Sequence, residues 1–485
     1  MATRIEANGL FELTAELVSA ASRLDKFLSQ KSLPQPSFDA PAPAVALNTA
    51  NKSYYDARST IVEAAEQLIR LVRGPRDTLL ALSFEHCASA SMQVVLKYKL
   101  ASHVPLHGST TYAKIAEAVG NGVTTPLVER TIQHAASFGL FETIPGGYVT
   151  HNAASSLLIT DPDLEAWMYL SATIAYPAGA AIPKAVEQYG VSMEADEAAY
   201  GVSINRKIAQ FQRFREPDGL KDHEMFARAM RGIAAGGAYD FRHAVDGGYP
   251  WHLLTNGPGH LVVDVGGGPG HVAMALAEKY PSLRFEVQDL PETVQVGAKN
   301  CPDQLKKRVA FRAHDFMTPQ PAHEVNGEEG IAYFARFILH DWSDKYATKI
   351  VQQLAVGLRP QDRIILNEVV VPEGGVEGRE TERRMHDRDL LMLMNLNGRE
   401  RTQSAFEAIF ASVTPKLKLQ KVHRPEQGEL SLIEVTLDGN DLSTGQNGTN
   451  GHSNGVNGHT NGVNGHTNGV NGHVDGHVNG VNGVH

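Results

Sequence analysis

The run Asp264-Val265-Gly266-Gly267-Gly268-Pro269-Gly270 follows directly on the apolar stretch LVVDV (261–265). Glycines in such a place let the backbone turn tightly and approach a ligand with no Cβ in the way. The spacing is G-x-G-x-G, through Gly266, Gly268 and Gly270. A dinucleotide fingerprint would need its third glycine at position 271, where His271 stands. A Walker loop would need a following Lys-Ser/Thr, and there is none. Asp289 ends the next apolar stretch, 23 residues after Gly266. A carboxylate there can accept hydrogen bonds from both hydroxyls of a ribose. Asp315 ends the stretch after that, placed to meet a purine amino group, with Phe316 beside it. Such a loop alone is often only a tight turn. With two acids at the ends of the next two strands, it points to an adenosine-containing ligand.

A second group could move protons. His340 stands in Arg336-Phe337-Ile338-Leu339-His340-Asp341-Trp342-Ser343-Asp344. A single His at a strand end is usually structural. Two further carboxylates change that reading: Glu368 in Leu366-Asn367-Glu368, and Glu400 in Gly398-Arg399-Glu400-Arg401-Thr402.

Alternating strands and helices must position these residues. Apolar strands read LVVDV (261–265), RFEVQ (284–288), VAFRA (309–313), IAYFARFIL (331–339) and RIILNEVVV (363–371), with helical patterns such as HVAMALAEKY (271–280) between. Short β stretches separated by helices imply an α/β fold with a parallel, doubly wound sheet. Ligands bind at the carboxyl ends of such strands, so the glycine loop and His340 share one edge. The last pair, LKLQKV (417–422) and LSLIEVTL (430–437), has no helix between and reads as an antiparallel hairpin closing the sheet.

The N-terminal half is helical. Leu10, Leu13, Leu17, Ala21, Leu24 and Leu28 form one apolar stripe, and a Pro-rich linker (33–43) follows. Ile61, Ala65, Leu68, Ile69 and Val72 form a second stripe, which Gly74-Pro75 is expected to stop. Between about 88 and 153 three helices precede a hairpin turning at Pro145-Gly146-Gly147, an order that resembles a winged helix. Its third helix offers Arg130 and His134 but also Glu129, with no basic face, so subunit contact is preferred over DNA binding. More helices fill 160–235.

Composition excludes other classes. Lys and Arg number 44 against 54 Asp and Glu, a formal charge of −10, which argues against a general nucleic-acid binder. Cys87 and Cys301 cannot make a disulfide framework and suit a reducing compartment. The N-terminus lacks the apolar core of a secretory signal. The most apolar stretch by this reading, 167–183, is broken by Ser171, Thr173, Pro177 and Gly179 and is too short to span a bilayer. A cytoplasmic protein with no membrane partner is expected. Residues 439–485 hold 13 of the 45 Gly and 6 of the 21 His, in repeats of the form GHTNGVN. They carry almost no apolar surface, so a disordered tail is expected.

Taken together, HDWSD, NE in the next strand and the later D-L-x-M-L…N-G-R-E-R-T segment resemble the class I S-adenosylmethionine (SAM)-dependent O-methyltransferases. The resemblance is to the plant and fungal small-molecule type, the caffeic-acid and sterigmatocystin enzymes, and it covers roughly residues 85–438. It implies a Rossmann-like seven-stranded sheet preceded by an α-helical N-terminal domain containing a winged helix. The divisions it suggests are 1–80 (helices and linker), 81–160 (winged-helix dimerisation), 161–245 (connecting helices), 246–438 (SAM-binding domain) and 439–485 (tail). It maps the general base to His340, flanked by Glu368 and Glu400. It maps cofactor contacts to Asp264, Gly266, Gly268, Asp289, Leu290, Asp315, Phe316 and Arg336, where the family usually has Lys. By family position Phe226, Met230, Leu391 and Asn395 face the substrate. It further implies a homodimer and a phenolic small-molecule substrate, in keeping with an apolar, partly aromatic pocket. No metal is needed, because the sulfonium methyl is already activated.

A phenol has a pKa near 10 and an ordinary imidazolium about 6.5, so complete proton transfer is uphill by roughly 5 kcal/mol. His340 is therefore expected to take the proton as the oxygen attacks, with Glu368 or Glu400 holding its ring. One alternative is a cofactor-binding cyclase or pericyclase of the same fold. Another is a winged-helix DNA-binding regulator, which the acidic charge disfavours.

Overall fold

The computed structural model describes residues 9–41, 52–234, 237–257, 259–374, 378–426 and 428–439. The chain divides into two compact units, Met1–Asp441 and Leu442–His485. The second unit, and with it the repeat tail, lies outside the described residues.

The first apolar stripe forms the helix Leu10–Gln30, which buries Leu13, Ala20, Phe27 and Leu28 and packs on the next helical stretch, Lys52–Ser83. Gly74 breaks that stretch with a φ of 70°, but the chain does not stop there. Pro75 reopens a helix that runs on to Ser83, because a proline in a first turn forfeits no hydrogen bond. By length and composition, the helical run Lys52–Lys97 is apolar enough to cross a membrane, with a mean hydropathy of 1.3 over its most apolar window. It displaces 167–183, which the structure divides among shorter helices.

Helices Glu85–Lys97, Tyr112–Val119 and Thr125–Ser137 precede a hairpin in the order expected. The sequence reading missed one strand. β1 (Ser109–Thr111) pairs with β3 (Tyr148–Thr150), which also pairs with β2 (Glu142–Ile144). Met92, Val95, Ile115, Val128, Ile132, Phe141 and Val149 make the core beneath them. His134 Nδ1 lies 3.0 Å from Ser91 Oγ and ties two of these helices together. Further on, helix Leu220–Ala234 packs along Pro162–Leu170. There Asp163 takes Arg228 at 3.5 Å and Arg231 at 3.1 Å.

The large sheet comprises β4 (His260–Val265), β5 (Arg284–Asp289), β6 (Val309–Ala313), β7 (Gly330–Arg336), β8 (Arg363–Val371), β10 (Leu417–His423) and β11 (Leu430–Leu437). A two-residue strand, β9 (Arg401–Thr402), adds to the end of β8. The order is β10-β11-β8-β7-β4-β5-β6, with β4 to β8 parallel. The hairpin closes the sheet as expected, and its second strand lies inside, antiparallel to β8. From β4 the chain runs outward to β5 and β6, then returns to lay β7 on the other side of β4. That reversal is a topological switch point, where ligands of such sheets bind. The glycine loop leaves β4 and the His340 segment leaves β7, so both open onto the same crevice. Val262, Phe285, Val287 and Phe334 fill one face of the sheet. Val263, Val265, Leu366 and Ile433 fill the other.

Candidate functional site

β7 ends at Arg336 rather than running to 339. Phe337 turns the chain with a φ of 56°, a conformation that costs a non-glycine residue on the order of 1 kcal/mol and collects at functional sites. Leu339–Asp341 then form a short 3-10 turn. Glu368, in the middle of β8, fixes this turn: one oxygen accepts the backbone N–H of Ile338 at 2.9 Å and of Leu339 at 2.8 Å. Glu368 thus holds the loop rather than the imidazole ring. The ring is held by Glu400, whose Oε1 lies 2.9 Å from His340 Nδ1, and both side chains are buried. Facing atoms of His340, Glu368 and Glu400 all lie within 4.8 Å of one another, so the structure gathers the three residues singled out in sequence.

The Gly398–Arg401 segment explains why Glu400 arrives there. Arg399 N–H donates to the His340 carbonyl at 2.8 Å. Arg401, fully buried, donates from Nη1 to the Leu339 carbonyl at 2.7 Å and from Nη2 to the Trp342 carbonyl at 2.6 Å. A Cβ on Gly398 would meet the His340 carbonyl oxygen at 2.3 Å, so only glycine lets the two segments run this close. Sequence reasoning used Glu400 of this motif and missed its neighbours, because their work is done on backbone carbonyls 60 residues away. It also missed Asp341, whose carboxylate lies 3.4 Å from His340 Nε2.

The charges are strongly perturbed. Burial pulls the His340 imidazolium down, but Asp341, Glu400 and Glu368 outweigh it and push the group up to about 9. Burial pushes Glu368 up to about 7 and Asp341 up to about 6. Perturbed groups clustered at a switch point mark a chemical site.

The glycine loop lies against this machinery. A Cβ on Gly266 (φ 66°) would meet Ile338 Cδ1 at 2.5 Å and Phe316 at 3.6 Å. A Cβ on Gly267 would strike the Asp264 carboxylate at 2.5 Å. Gly268, also at positive φ, donates its N–H to Asp289 Oδ2 at 2.9 Å, and Leu290 donates to Oδ1 at 2.7 Å. Asp264 is buried with Oδ2 unpartnered. Burial, with Asp289 nearby, pushes it up to about 7. Asp315 and Leu290 are exposed at the rim, and Phe316 packs edge-on to Trp342. Arg336 donates to the Tyr239 carbonyl at 2.6 Å and keeps Nε unpartnered. An orphaned carboxylate oxygen on Asp264, an orphaned guanidinium N–H on Arg336, a side-chain-free cradle and a carboxylate at the end of β5 fit a ligand carrying an ammonium, a carboxylate, a ribose and an adenine.

Of the residues expected to face the substrate, Leu391 and Asn395 sit on one face of helix Arg379–Leu396, which packs against the His340 turn. Asn395 is buried with Oδ1 unpartnered. Phe226 and Met230 join an aromatic cluster with Phe211, Phe214 and Met394. They are half-buried, and Met394 of that cluster lies on the same helix as Leu391 and Asn395.

A family model described as an O-methyltransferase domain matches residues 258–413. The chain is 87% identical over 453 residues to "O-methyltransferase CTB2" of Cercospora beticola, covering 93% of this chain and 98% of the relative. It is 57% identical to "O-methyltransferase elcB" of Phaeosphaeria nodorum, covering 88% and 95%. Among solved structures it is similar to OxaC in complex with SAH and oxaline, with a TM-score of 0.67 and 20% identity, covering 88% of this chain and 99% of that one.

Proposed function

The chain belongs to the O-methyltransferase family, and from that premise we propose that it uses His340 as general base to methylate a hydroxyl of an aromatic, polyketide-derived metabolite. The cofactor is SAM, which supplies the electrophilic methyl group. Asp289, Asp264, Gly266, Gly268 and Arg336 are the residues we assign to hold it, with Leu290, Asp315 and Phe316 at the adenosine end.

One observation carries the reading: the buried His340–Glu400 pair, 2.9 Å apart, set against the glycine loop. A carboxylate can only accept, so His340 Nδ1 donates to Glu400, and Nε2, with the Asp341 carboxylate 3.4 Å away, is the nitrogen that takes the hydroxyl proton. A group held near 9 lies about one unit below a phenol, so the transfer costs only about 1.4 kcal/mol. That replaces the ~5 kcal/mol expected for an ordinary imidazole. The same shift means that His340 must lose its proton before it can act. The aromatic rings of Phe337, Tyr239, Phe316 and Trp342 around the site support a planar aromatic acceptor.

A homodimer is part of the proposal. Leu79, Leu80, Leu82 and Phe84 are exposed on the N-terminal helices, an apolar face that suits burial against a second copy.

The test is transfer of labelled methyl from SAM to a panel of hydroxylated aromatics. Label should reach a phenol with the parent and be lost with His340→Ala. Full transfer by that variant, or none to any phenol by the parent, would overturn the proposal.

A further inference from the structure

Arg388 is a cation beside the dyad that the mechanism has not used. Its side chain, 11% exposed, comes from the same helix face as Leu391 and Asn395. Nε lies 3.6 Å from Glu400 Oε1, the same oxygen that bonds His340 Nδ1. The guanidinium carbon stands 3.8 Å over the Tyr239 ring and 4.8 Å from the Phe337 ring. Phe337 in turn stacks on the His340 imidazole, with centroids 5.0 Å apart. Tyr239, Arg388, Phe337 and His340 are thus linked in one run of ring and cation contacts, and Nη1 of Arg388 is buried without a partner.

A planar guanidinium is suited to lie between rings while addressing a carboxylate edge-on, and an ammonium is not. Its place is therefore specific to arginine. We propose that Arg388 is a positioning residue of the dyad: by sharing the Glu400 carboxylate with His340, it keeps the imidazole able to shed its proton and so to serve as the base. This rests on the general-base reading of His340.

The groups facing the imidazole make the balance plain. Asp341 stands at Nε2, Glu400 at Nδ1, and Glu368 reaches in from β8. All three favour the protonated ring. Arg336, itself pulled down to about 10 by burial and by Arg388, lies 4.7 Å from the Phe337 ring. Asp389 spends Oδ1 on the Glu400 N–H at 2.9 Å. Among the described residues, Arg388 is the arginine whose guanidinium meets the Glu400 carboxylate, at 3.6 Å. Removing it leaves the full negative charge of Glu400 to His340, so the ring holds its proton to higher pH.

The experiment compares the parent, Arg388→Met and Arg388→Lys. Two readouts are taken: the pH profile of kcat/KM, and NMR titration of the His340 ring, assigned by its loss in His340→Gln. Arg388→Met should move both the ring titration and the rising limb of kcat/KM upward by about one pH unit. Activity at pH 7 should fall about tenfold and recover at high pH. Arg388→Lys should return the limb part of the way. Equal loss of activity at every pH, with the ring titration unmoved, would overturn the proposal. If His340→Gln keeps the limb, the general-base reading fails, and the ring titration still decides the role of Arg388.

Discussion

Replacing Glu400 by Gln removes one charge and keeps an acceptor oxygen at the same place. In the parent the surrounding carboxylates lift His340 to about 9 against the cost of burial. Relative to an ordinary imidazole that lift corresponds to about 3 kcal/mol. Glu400 is the carboxylate on the ring's Nδ1, at 2.9 Å, and a charge-assisted bond of this kind contributes roughly 1.5–3 kcal/mol. The variant should therefore titrate His340 about one to two units lower. The sign is fixed by which form acts. The neutral ring is the base, so the rising limb of kcat/KM moves to lower pH. At the plateau the imidazolium formed during transfer loses its counter-charge, and kcat falls roughly 10- to 100-fold. The limb thus moves opposite to that of Arg388→Met. The assay is initial-rate methyl transfer between pH 6 and 10 with saturating SAM. A limb that stays in place while kcat falls would show that Glu400 does not set the charge of His340, and the reasoning would fail.

Two further outcomes follow from the packing. Gly398→Ala places a Cβ 2.3 Å from the His340 carbonyl oxygen and 2.8 Å from the Asp341 carbonyl carbon, so the two segments must part. Thermal denaturation should show a loss of about 1–3 kcal/mol, and turnover should fall at least about tenfold; unchanged turnover would contradict the close approach. Asp264→Asn removes a buried carboxyl pushed up to about 7. A raised carboxyl adds stability when protonated and loses it as pH rises through its folded value. The variant should therefore gain on the order of a few kcal/mol over the SAM-free parent at pH 8, gain nothing at pH 4, and bind SAM more weakly. Equal melting shifts at both pH values would refute the assignment.

Strand positions were legible because buried parallel strands are short apolar runs bounded by glycine, proline and polar residues, and β6, β8 and β11 fall where their runs begin and end. The helix Lys52–Ser83 was cut short in sequence because Gly-Pro reads as a stop, whereas Pro75, in the first turn of the segment that follows Gly74, restarts it. β1 was missed because three residues, Ser109–Thr111, gain strand geometry only by pairing with β3. The end of β7 was overrun because Phe337-Ile338-Leu339 is as apolar as the strand before it. The Glu368 carboxylate, accepting two backbone N–H groups, and Arg401, donating to the Leu339 and Trp342 carbonyls, hold it in a turn.

By itself the sequence determined the fold class and the glycine loop, because those depend on local periodicity and on residue types at strand ends, and the motifs HDWSD, NE and N-G-R-E-R-T that resemble the O-methyltransferases singled out His340, Glu368 and Glu400. Which carboxylate holds the ring, which holds the loop, and which arginine stands beside them was decided by the tertiary structure alone. The distances that separate these roles, 2.9 Å to Nδ1 and 3.6 Å to Arg388, arise between segments about 60 residues apart or on different elements. No pattern along the chain encodes them, because hydrogen-bond geometry is set only when β7, β8 and the Gly398–Arg401 segment close around one another.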